Sequence, residues 1–191
     1  MDIGAEDVAA ALALSADLPL LSSRISRLVI DVNRHLSSDT LFRTTAEGNP
    51  IKLNTNLTSE ERQDRIDRYW RPYRNELSNL LLSEPHLDMV LSIHSFTPNY
   101  EGQARECEVG VLYIDSKNEA SQFLKTFSES GYKVVENEPW PASICDIAKT
   151  VSSVGKQVVI LEIRNDLASN PSFTARIVAD IQRILQTLHL A

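Results

Sequence analysis

The sequence contains few cysteines, no long apolar run and no excess of positive charge. Its two cysteines, Cys107 and Cys145, are too few for a disulfide scaffold and lack the spacing of a metal site. We therefore expect free thiols in a reducing cytoplasm. No apolar run reaches the roughly 18 residues of a spanning helix, and the acidic N-terminal residues do not resemble a signal peptide.

The formal net charge of −7 argues against nucleic-acid binding and against association with an anionic membrane surface. The sequence also lacks HExxH, paired CxxC, P-loop and GxGxxG motifs, which are the common signatures of zinc and nucleotide sites. A hydrophobic content of 42% and a charged content of 24% are ordinary for a globular protein. The length of 191 residues predicts a single domain over residues 1–191.

Segments with a helical period alternate with apolar, β-branched segments, which predicts an α/β layered fold. Helices are predicted over residues 4–15, 58–83, 119–130, 143–153 and 172–189, with Thr58 and Glu61 as a capping box, Ser143 as a cap, and a kink at Pro72. Strands are predicted over residues 87–97, 107–115, 132–135 and 157–163, and a short one over 18–22. Residues 36–57 have the composition of a long loop, and such loops are often functional.

Arginines crowd the segment over residues 23–35, which is too polar for a core strand. One interpretation is an edge strand with solvated charges. The other, which we prefer, is an arginine-lined segment beside a pocket.

The predicted strand over residues 87–97 ends in a polar tip, His94-Ser-Phe-Thr-Pro98. Ligands of open α/β sheets bind beyond the carboxyl ends of the strands, so His94 is a candidate site residue. A surface histidine beside a turn would give the same pattern. The other three histidines, His35, His86 and His189, fit a site less well.

A second strand end carries Glu162-Ile-Arg-Asn-Asp166. A carboxylate buried without a partner is costly, so Glu162 requires a partner such as Arg164 or a role such as general base. Arg164 points to the same side of the strand as Glu162, and its planar fork suits a substrate carboxylate. A structural salt bridge is the alternative. Metal-assisted amide hydrolysis uses about three protein ligands and a glutamate base, and His94 and Glu162 fill two of those roles.

Several blocks in the same order resemble the N-formylglutamate amidohydrolase family. They are Asp2-Ile-Gly-Ala5, Ser26-Arg-Leu-Val-Ile-Asp-Val-Asn-Arg34, His94-Ser-Phe-Thr-Pro98, Gly110-Val-Leu-Tyr-Ile-Asp115, Asn137-Glu-Pro-Trp140 and Glu162-Ile-Arg-Asn-Asp-Leu167. The resemblance covers nearly the whole chain. It implies a zinc-carboxypeptidase or phosphorylase/hydrolase-like α/β fold, a three-layer domain in which helices flank a mixed β-sheet.

The family resemblance also implies a reaction and a set of site residues. It implies hydrolysis of the amide of N-formylglutamate or a related N-acyl amino acid, which bears carboxylates. His94 and Asp2 would bind one zinc ion, and Glu162 would activate the metal-bound water. Residues of two blocks would hold the substrate's carboxylates: Arg27, Asn33, Arg34 and Arg164.

The chain departs from the family pattern in two places. The family has a segment before the Asp2 block that contains a first strand and a metal-ligating histidine, and we expect this chain to lack it. Arg105-Glu106 stands where the family tends to have Arg-Pro-Trp. A non-catalytic relative that keeps a carboxylate pocket without a complete metal site is therefore the alternative function. Loss of a strand would also expose an apolar face, which leaves homo-oligomerisation open.

Overall fold

The computed structural model describes residues 2–46, 48–84 and 87–189. In these ranges the helices are α1 (Ala5–Ala16), α2 (Ser59–Arg65), α3 (Arg71–Ser83), α4 (Lys117–Glu129), α5 (Asp146–Ser153), α6 (Asn165–Ala168) and α7 (Pro171–Thr187). The strands are β1 (Thr45–Ala46), β2 (Asn49–Pro50), β3 (Met89–Phe96), β4 (Asn99–Tyr100), β5 (Gln103–Ala104), β6 (Val109–Leu112), β7 (Val134–Glu136) and β8 (Gln157–Arg164). His86 lies outside the described residues.

The chain divides into two compact units, which are described separately. The first unit comprises Leu21–His86 and Cys145–Ile147. The second comprises Asp2–Leu20, Leu87–Ile144 and Ala148–Ala191. That residues 1–191 form a single domain stays a prediction.

The first unit contains the predicted capping box at the start of α2. The Thr58 hydroxyl accepts a hydrogen bond from the Glu61 amide, and the Glu61 carboxylate accepts one from the Thr58 amide. The helix predicted over residues 58–83 is interrupted by a π-helical turn over Ile66–Trp70, immediately before α3, and the kink predicted at Pro72 stays a prediction. Proline has no amide proton for the helical ladder, so a break in the regular α-helix close to Pro72 is expected.

The arginine-rich segment of the first unit forms turns. Asp31 Oδ1 accepts a hydrogen bond from the Asn33 amide, and Ser26 Oγ accepts one from the Leu28 amide. Such local side-chain bonds compete with strand ladders. The edge-strand interpretation of residues 23–35 is therefore wrong. The short strand predicted over residues 18–22 is also wrong, because that segment forms no strand.

The second unit contains the main sheet, with strand order β3-β8-β6-β7 among the described residues. The pairs β3–β8 and β6–β7 are parallel, whereas β6–β8 is antiparallel. The predicted α/β fold with a mixed sheet flanked by helices is thus confirmed. The helices α1, α4 and α7 pack against one face of this sheet through a single apolar cluster, whose largest fully buried members are Phe123, Phe127, Leu161, Ile163, Ile177, Ile181 and Ile184.

One predicted helix start is wrong. Ser143 does not cap a helix but lies in a 3₁₀ turn over Ala142–Ile144, and α5 begins at Asp146. Across residues 2–46, 48–84 and 87–189, no helix has both the length and the hydropathy needed to cross a membrane.

Candidate functional site

His94 and Glu162 are brought together by the register of the sheet. They are direct partners in the parallel β3–β8 pair, and Gly110 is the partner of Glu162 in the antiparallel β6–β8 pair. Paired residues of neighbouring strands point to the same face of a sheet. The apolar cluster of the helices uses the alternate residues, including Ile93, Leu161 and Val111. His94 and Glu162 therefore share the face opposite that cluster.

Both nitrogens of the His94 ring lie at hydrogen-bond distance from a polar side chain. Nδ1 is 2.7 Å from Asp2 Oδ2, and Nε2 is 3.1 Å from Ser92 Oγ. The side chains of His94 and Asp2 are 19% and 23% exposed. A carboxylate behind one imidazole nitrogen fixes the ring's orientation and favours a proton on that nitrogen. Asp2 thus contacts His94 directly and orients its ring.

The segment that carries Asp2 runs along the outer side of β3. Asp2 bonds to His94, while the carbonyl oxygen of the next residue, Ile3, accepts a hydrogen bond of 2.8 Å from Ser95 Oγ. His94 and Ser95 are neighbours on a strand and point to opposite faces. Consecutive residues of the N-terminal segment therefore bond to both faces of the sheet at the end of β3.

Gly4 sets the position of this segment. Its φ angle is 78°, and a Cβ built on it would lie 2.5 Å from the carbonyl carbon of Ala168. Ala168 ends α6, which directly follows β8. The Asp-Ile-Gly-Ala block therefore needs glycine both for its left-handed backbone and for its contact with α6.

Gly110 allows a turn to lie directly over the sheet beside Glu162. A Cβ at Gly110 would lie 2.1 Å from the carbonyl oxygen of Glu138. Asn137 tethers this turn to β6, because its side-chain oxygen accepts a 3.0 Å bond from the Tyr113 amide and its own amide donates to the Val111 carbonyl at 3.0 Å. The turn thus forms a wall of the site face next to Glu162.

Arg164 forms its ion pair with Asp166. Its Nε and Nη2 donate to the two carboxylate oxygens of Asp166 at 2.9 and 3.3 Å, and Nη1 donates to the Arg105 carbonyl at 3.2 Å. The Arg164 side chain is 19% exposed. Arg164 therefore pairs with Asp166, and both its predicted salt bridge with Glu162 and its predicted contact with a substrate carboxylate stay predictions.

The remaining predicted substrate ligands belong to the first unit, where they hold loops together. Arg27 donates to Asp31 Oδ2 through Nε and Nη2, at 3.2 and 2.7 Å. Arg34 donates to the Thr40 hydroxyl at 3.2 Å and to the carbonyl of its neighbour Asn33 at 2.9 Å. A role of Arg27, Asn33 and Arg34 in substrate binding stays a prediction.

Asn33 links two separate segments of the first unit. Its buried Oδ1 accepts hydrogen bonds from Cys145 Sγ and from the Ile147 amide, each at 3.1 Å. Beside this link, Arg74 pairs with Asp146 at 3.0 Å, and both side chains are mostly buried. Asn33 is therefore a structural residue whatever its part in binding.

Replacing Asn33 with alanine is expected to lower the free energy of unfolding by about 1–3 kcal/mol, because two buried donors lose their acceptor. Urea denaturation of Asn33→Ala and of an exposed control on α4, Asn118→Ala, measures the difference. Asn118→Ala should stay within about 0.5 kcal/mol of wild type. Equal stabilities of the two variants would contradict the structural role of Asn33.

Two titratable groups of the second unit are perturbed. The pKa of the Cys107 thiol is raised, mainly because burial disfavours the thiolate, with Arg105 acting in the opposite direction. The pKa of Tyr113 is raised because its hydroxyl donates to Glu136. A thiol with a raised pKa is a poor nucleophile at neutral pH, so Cys107 is not a candidate for covalent catalysis.

The predicted zinc site requires several donor side chains that are close enough to bind one metal ion. In the part of the chain that the structure describes, no three His, Cys, Asp or Glu side chains are placed to hold a metal ion together. Protein zinc sites usually use three or four such ligands. The described residues supply an oriented imidazole at His94 but do not by themselves fit a zinc ion.

Three supporting residues were missed by the sequence analysis: Asp31, Ser92 and Asp166. Ser92 was detectable in principle, because it lies two residues before His94 and so on the same face of β3. Asp166 was detectable too, because it follows Arg164 by two residues at a strand end. Asp31 could not be assigned, because its partners depend on the turns that this arginine-rich segment forms.

Comparisons with known proteins agree with this arrangement. The family model of N-formylglutamate amidohydrolase matches residues 1–169. The crystal structure of a gene product from Agrobacterium tumefaciens is similar, with a TM-score of 0.87 and 28% identity over 98% of this chain and 79% of that one. An N-formylglutamate amidohydrolase from Ralstonia eutropha shares the fold, with a TM-score of 0.66 and 19% identity over 85% of this chain and 72% of that one. No match was found among curated proteins.

The family match extends over both strands that carry the candidate site and over the Asp2 segment that orients His94. The resemblance stated from the sequence blocks is confirmed. The chain belongs to the N-formylglutamate amidohydrolase family.

Proposed function

We propose that this protein hydrolyses the amide of N-formylglutamate or of a related N-acyl amino acid that bears carboxylates. The observation that carries the proposal is the pairing of His94 with Glu162 across β3 and β8, on the face opposite the apolar cluster. Membership of the family supports a hydrolase of this type. A small-molecule substrate also agrees with the acidic net charge of −7, which disfavours nucleic acid as a partner.

Glu162 acts in this proposal as the general base. Its carboxylate takes a proton from the attacking water, whose oxygen forms a bond to the carbonyl carbon of the acyl group. The carbon–nitrogen bond then breaks, and the same proton passes to the leaving amine. For an N-formyl substrate the products are formate and the free amino acid.

His94 acts beside Glu162 as an oriented imidazole. Its bond to Asp2 favours the tautomer with a proton on Nδ1, so that Nε2 carries the lone pair on the side of Ser92. The zinc ion stays a prediction, because the described residues do not complete its ligand set.

Purified protein is expected to release formate from N-formyl-L-glutamate, and an enzyme-coupled formate assay measures the rate. Metal analysis of the same preparation, purified without chelators, tests the zinc prediction separately, because that prediction requires about one zinc per chain. Loss of that zinc in His94→Ala would assign the ligand independently of activity. Absence of formate release at enzyme concentrations near that of the substrate would reject the proposal.

The alternative is a non-catalytic relative that binds acidic amino-acid derivatives. The absence of a three-ligand group in the described ranges favours it. In that case N-formylglutamate would bind in calorimetry but would not be hydrolysed. The cytoplasmic location and homo-oligomerisation stay predictions.

A further inference from the structure

Arg105 is placed at the end of β3 by a tight hairpin. The strands β4 and β5 pair through a turn in which Glu101 and Gly102 have φ angles of 50° and 79°. This turn reverses the chain, so that the Arg105 amide donates to the Pro98 carbonyl at 2.7 Å. The hairpin therefore brings Arg105 back to the carboxyl end of β3.

Three aromatic rings surround the Arg105 guanidinium. Its central carbon lies 4.5 Å from the ring centre of Trp140, 4.7 Å from that of Tyr100 and 5.6 Å from that of Phe96. Tyr100 and Trp140 also contact each other edge to face at 5.5 Å. Stacking on aromatic rings uses the faces of a guanidinium, whereas its N–H donors point outward in its plane. The rings thus fix the group and leave a planar fork for an acceptor.

Arg105 belongs to the same face of the sheet as His94 and Glu162. Phe96, over which it lies, is two residues beyond His94 on β3 and pairs with Arg164 on β8. Two strand residues advance the chain by about 6.6 Å. The separation of Phe96 from His94 is therefore of the order of the length of a small dicarboxylate.

Among the described residues, Arg105 has no acidic partner, in contrast to Arg164 and Arg27. Arg164 is paired with Asp166, and Arg27 is paired with Asp31. Within residues 2–46, 48–84 and 87–189, Arg105 forms no ion pair, and its one side-chain hydrogen bond, to the Thr97 carbonyl, is long at 3.5 Å. An oriented guanidinium that lacks a carboxylate is suited to receive one from a ligand.

We propose that Arg105, which is held by the rings of Phe96, Tyr100 and Trp140, binds a carboxylate of the substrate. Arg105 thereby selects N-acyl derivatives of acidic amino acids. The substrate class in this assignment is taken from the proposed function. The assignment adds Arg105 to the residues predicted from the sequence to bind carboxylates, which are Arg27, Asn33, Arg34 and Arg164. The bound carboxylate directs the rest of the substrate along β3 toward His94 and Glu162.

The test compares three substrates on wild type and Arg105→Met: N-formyl-L-glutamate and its two monoamides, N-formyl-L-glutamine and N-formyl-L-isoglutamine. For N-formylglutamate, Arg105→Met should raise KM about 10- to 100-fold, the range of one charge-assisted bond, with little change in kcat. For the monoamide that lacks the recognised carboxylate, the same variant should change KM less than about threefold. Arg105→Lys should recover part of the affinity.

Arg176→Met is the matched control for this substitution. Arg176 also stacks on two rings, those of Tyr132 and Phe173, at 4.3 and 5.4 Å. Both rings belong to the apolar cluster on the opposite face of the sheet. Arg176→Met should leave KM unchanged for all three substrates. Equal losses for all three substrates in Arg105→Met would overturn the proposal and indicate a purely structural role.

Calorimetry with L-glutamate and L-glutamine separates this proposal from the proposed function. If wild type hydrolyses nothing but binds glutamate with a Kd that rises at least tenfold in Arg105→Met, the enzyme proposal fails and the assignment of Arg105 stands. If wild type hydrolyses N-formylglutamate and Arg105→Met does not change KM, only the assignment of Arg105 fails. If wild type neither binds nor hydrolyses, both fail.

Discussion

Glu162→Gln is expected to lower kcat for N-formylglutamate about 100- to 10,000-fold, the usual contribution of a general base. Glutamine has nearly the same shape as glutamate but cannot take a proton from water. Because the substitution removes a group that acts in the transition state, KM should change much less than kcat. Steady-state kinetics of formate release measures both quantities.

The control for Glu162→Gln is the same substitution at Glu106. Its side chain is 89% exposed, and its contact with Lys133 is long at 3.7 Å. Glu106→Gln should therefore keep kcat within about twofold and stability within about 0.5 kcal/mol. Urea denaturation should show that Glu162→Gln is folded. A folded Glu162→Gln that retains wild-type kcat would exclude Glu162 as the base.

Gly4→Ala is expected to destabilise the protein by about 2–5 kcal/mol. A left-handed backbone costs an alanine about 1–2 kcal/mol, and the added methyl, which would lie 2.5 Å from the Ala168 carbonyl carbon, costs about 1–3 kcal/mol more. Relief of the clash would move the Asp2 segment, so the bond between Asp2 and His94 should weaken as well. The free energy of unfolding in urea measures the first effect, and kcat of the folded fraction measures the second.

Gly131→Ala separates the two contributions. Gly131 follows α4 with a φ angle of 83°, close to the 78° of Gly4, but a Cβ built on it meets no atom within 4 Å. Gly131→Ala should therefore lower the free energy of unfolding by only the cost of the left-handed backbone, about 1–2 kcal/mol, and should leave the activity unchanged. If both variants lose the same stability, the close contact between Gly4 and Ala168 does not contribute.

The strand ends that carry the site could be predicted from local sequence. Apolar alternation up to His94, and the apolar strand that leads to Glu162, identify two buried strands with polar tips. Their adjacency could not be read from the pattern, because it depends on the register of strands separated by more than sixty residues. Local pattern thus gives the residues of the site, and long-range pairing gives its geometry.

Side-chain partners were harder to predict than strands. The sequence analysis noted Arg105 only in the Arg105-Glu106 pair that departs from the family pattern, whereas the structure surrounds it with the rings of Phe96, Tyr100 and Trp140. The arginines of residues 23–35 were expected beside a pocket, whereas Arg27 holds a turn through Asp31. Composition identifies a charged segment, but the partner of each charge depends on turns whose shape local side-chain bonds decide.

The close contact between Gly110 and the Glu138 carbonyl restricts the order in which this sequence can change. Any Cβ at position 110 would lie 2.1 Å from that oxygen, so no other residue is accommodated until the turn has moved. Substitutions that first shorten or shift the turn would allow a side chain at position 110. If position 110 changed first, its side chain would clash with the turn and the variant could not pack. A library that varies position 110 alone should therefore return only glycine, and one that varies the turn with it should return other residues.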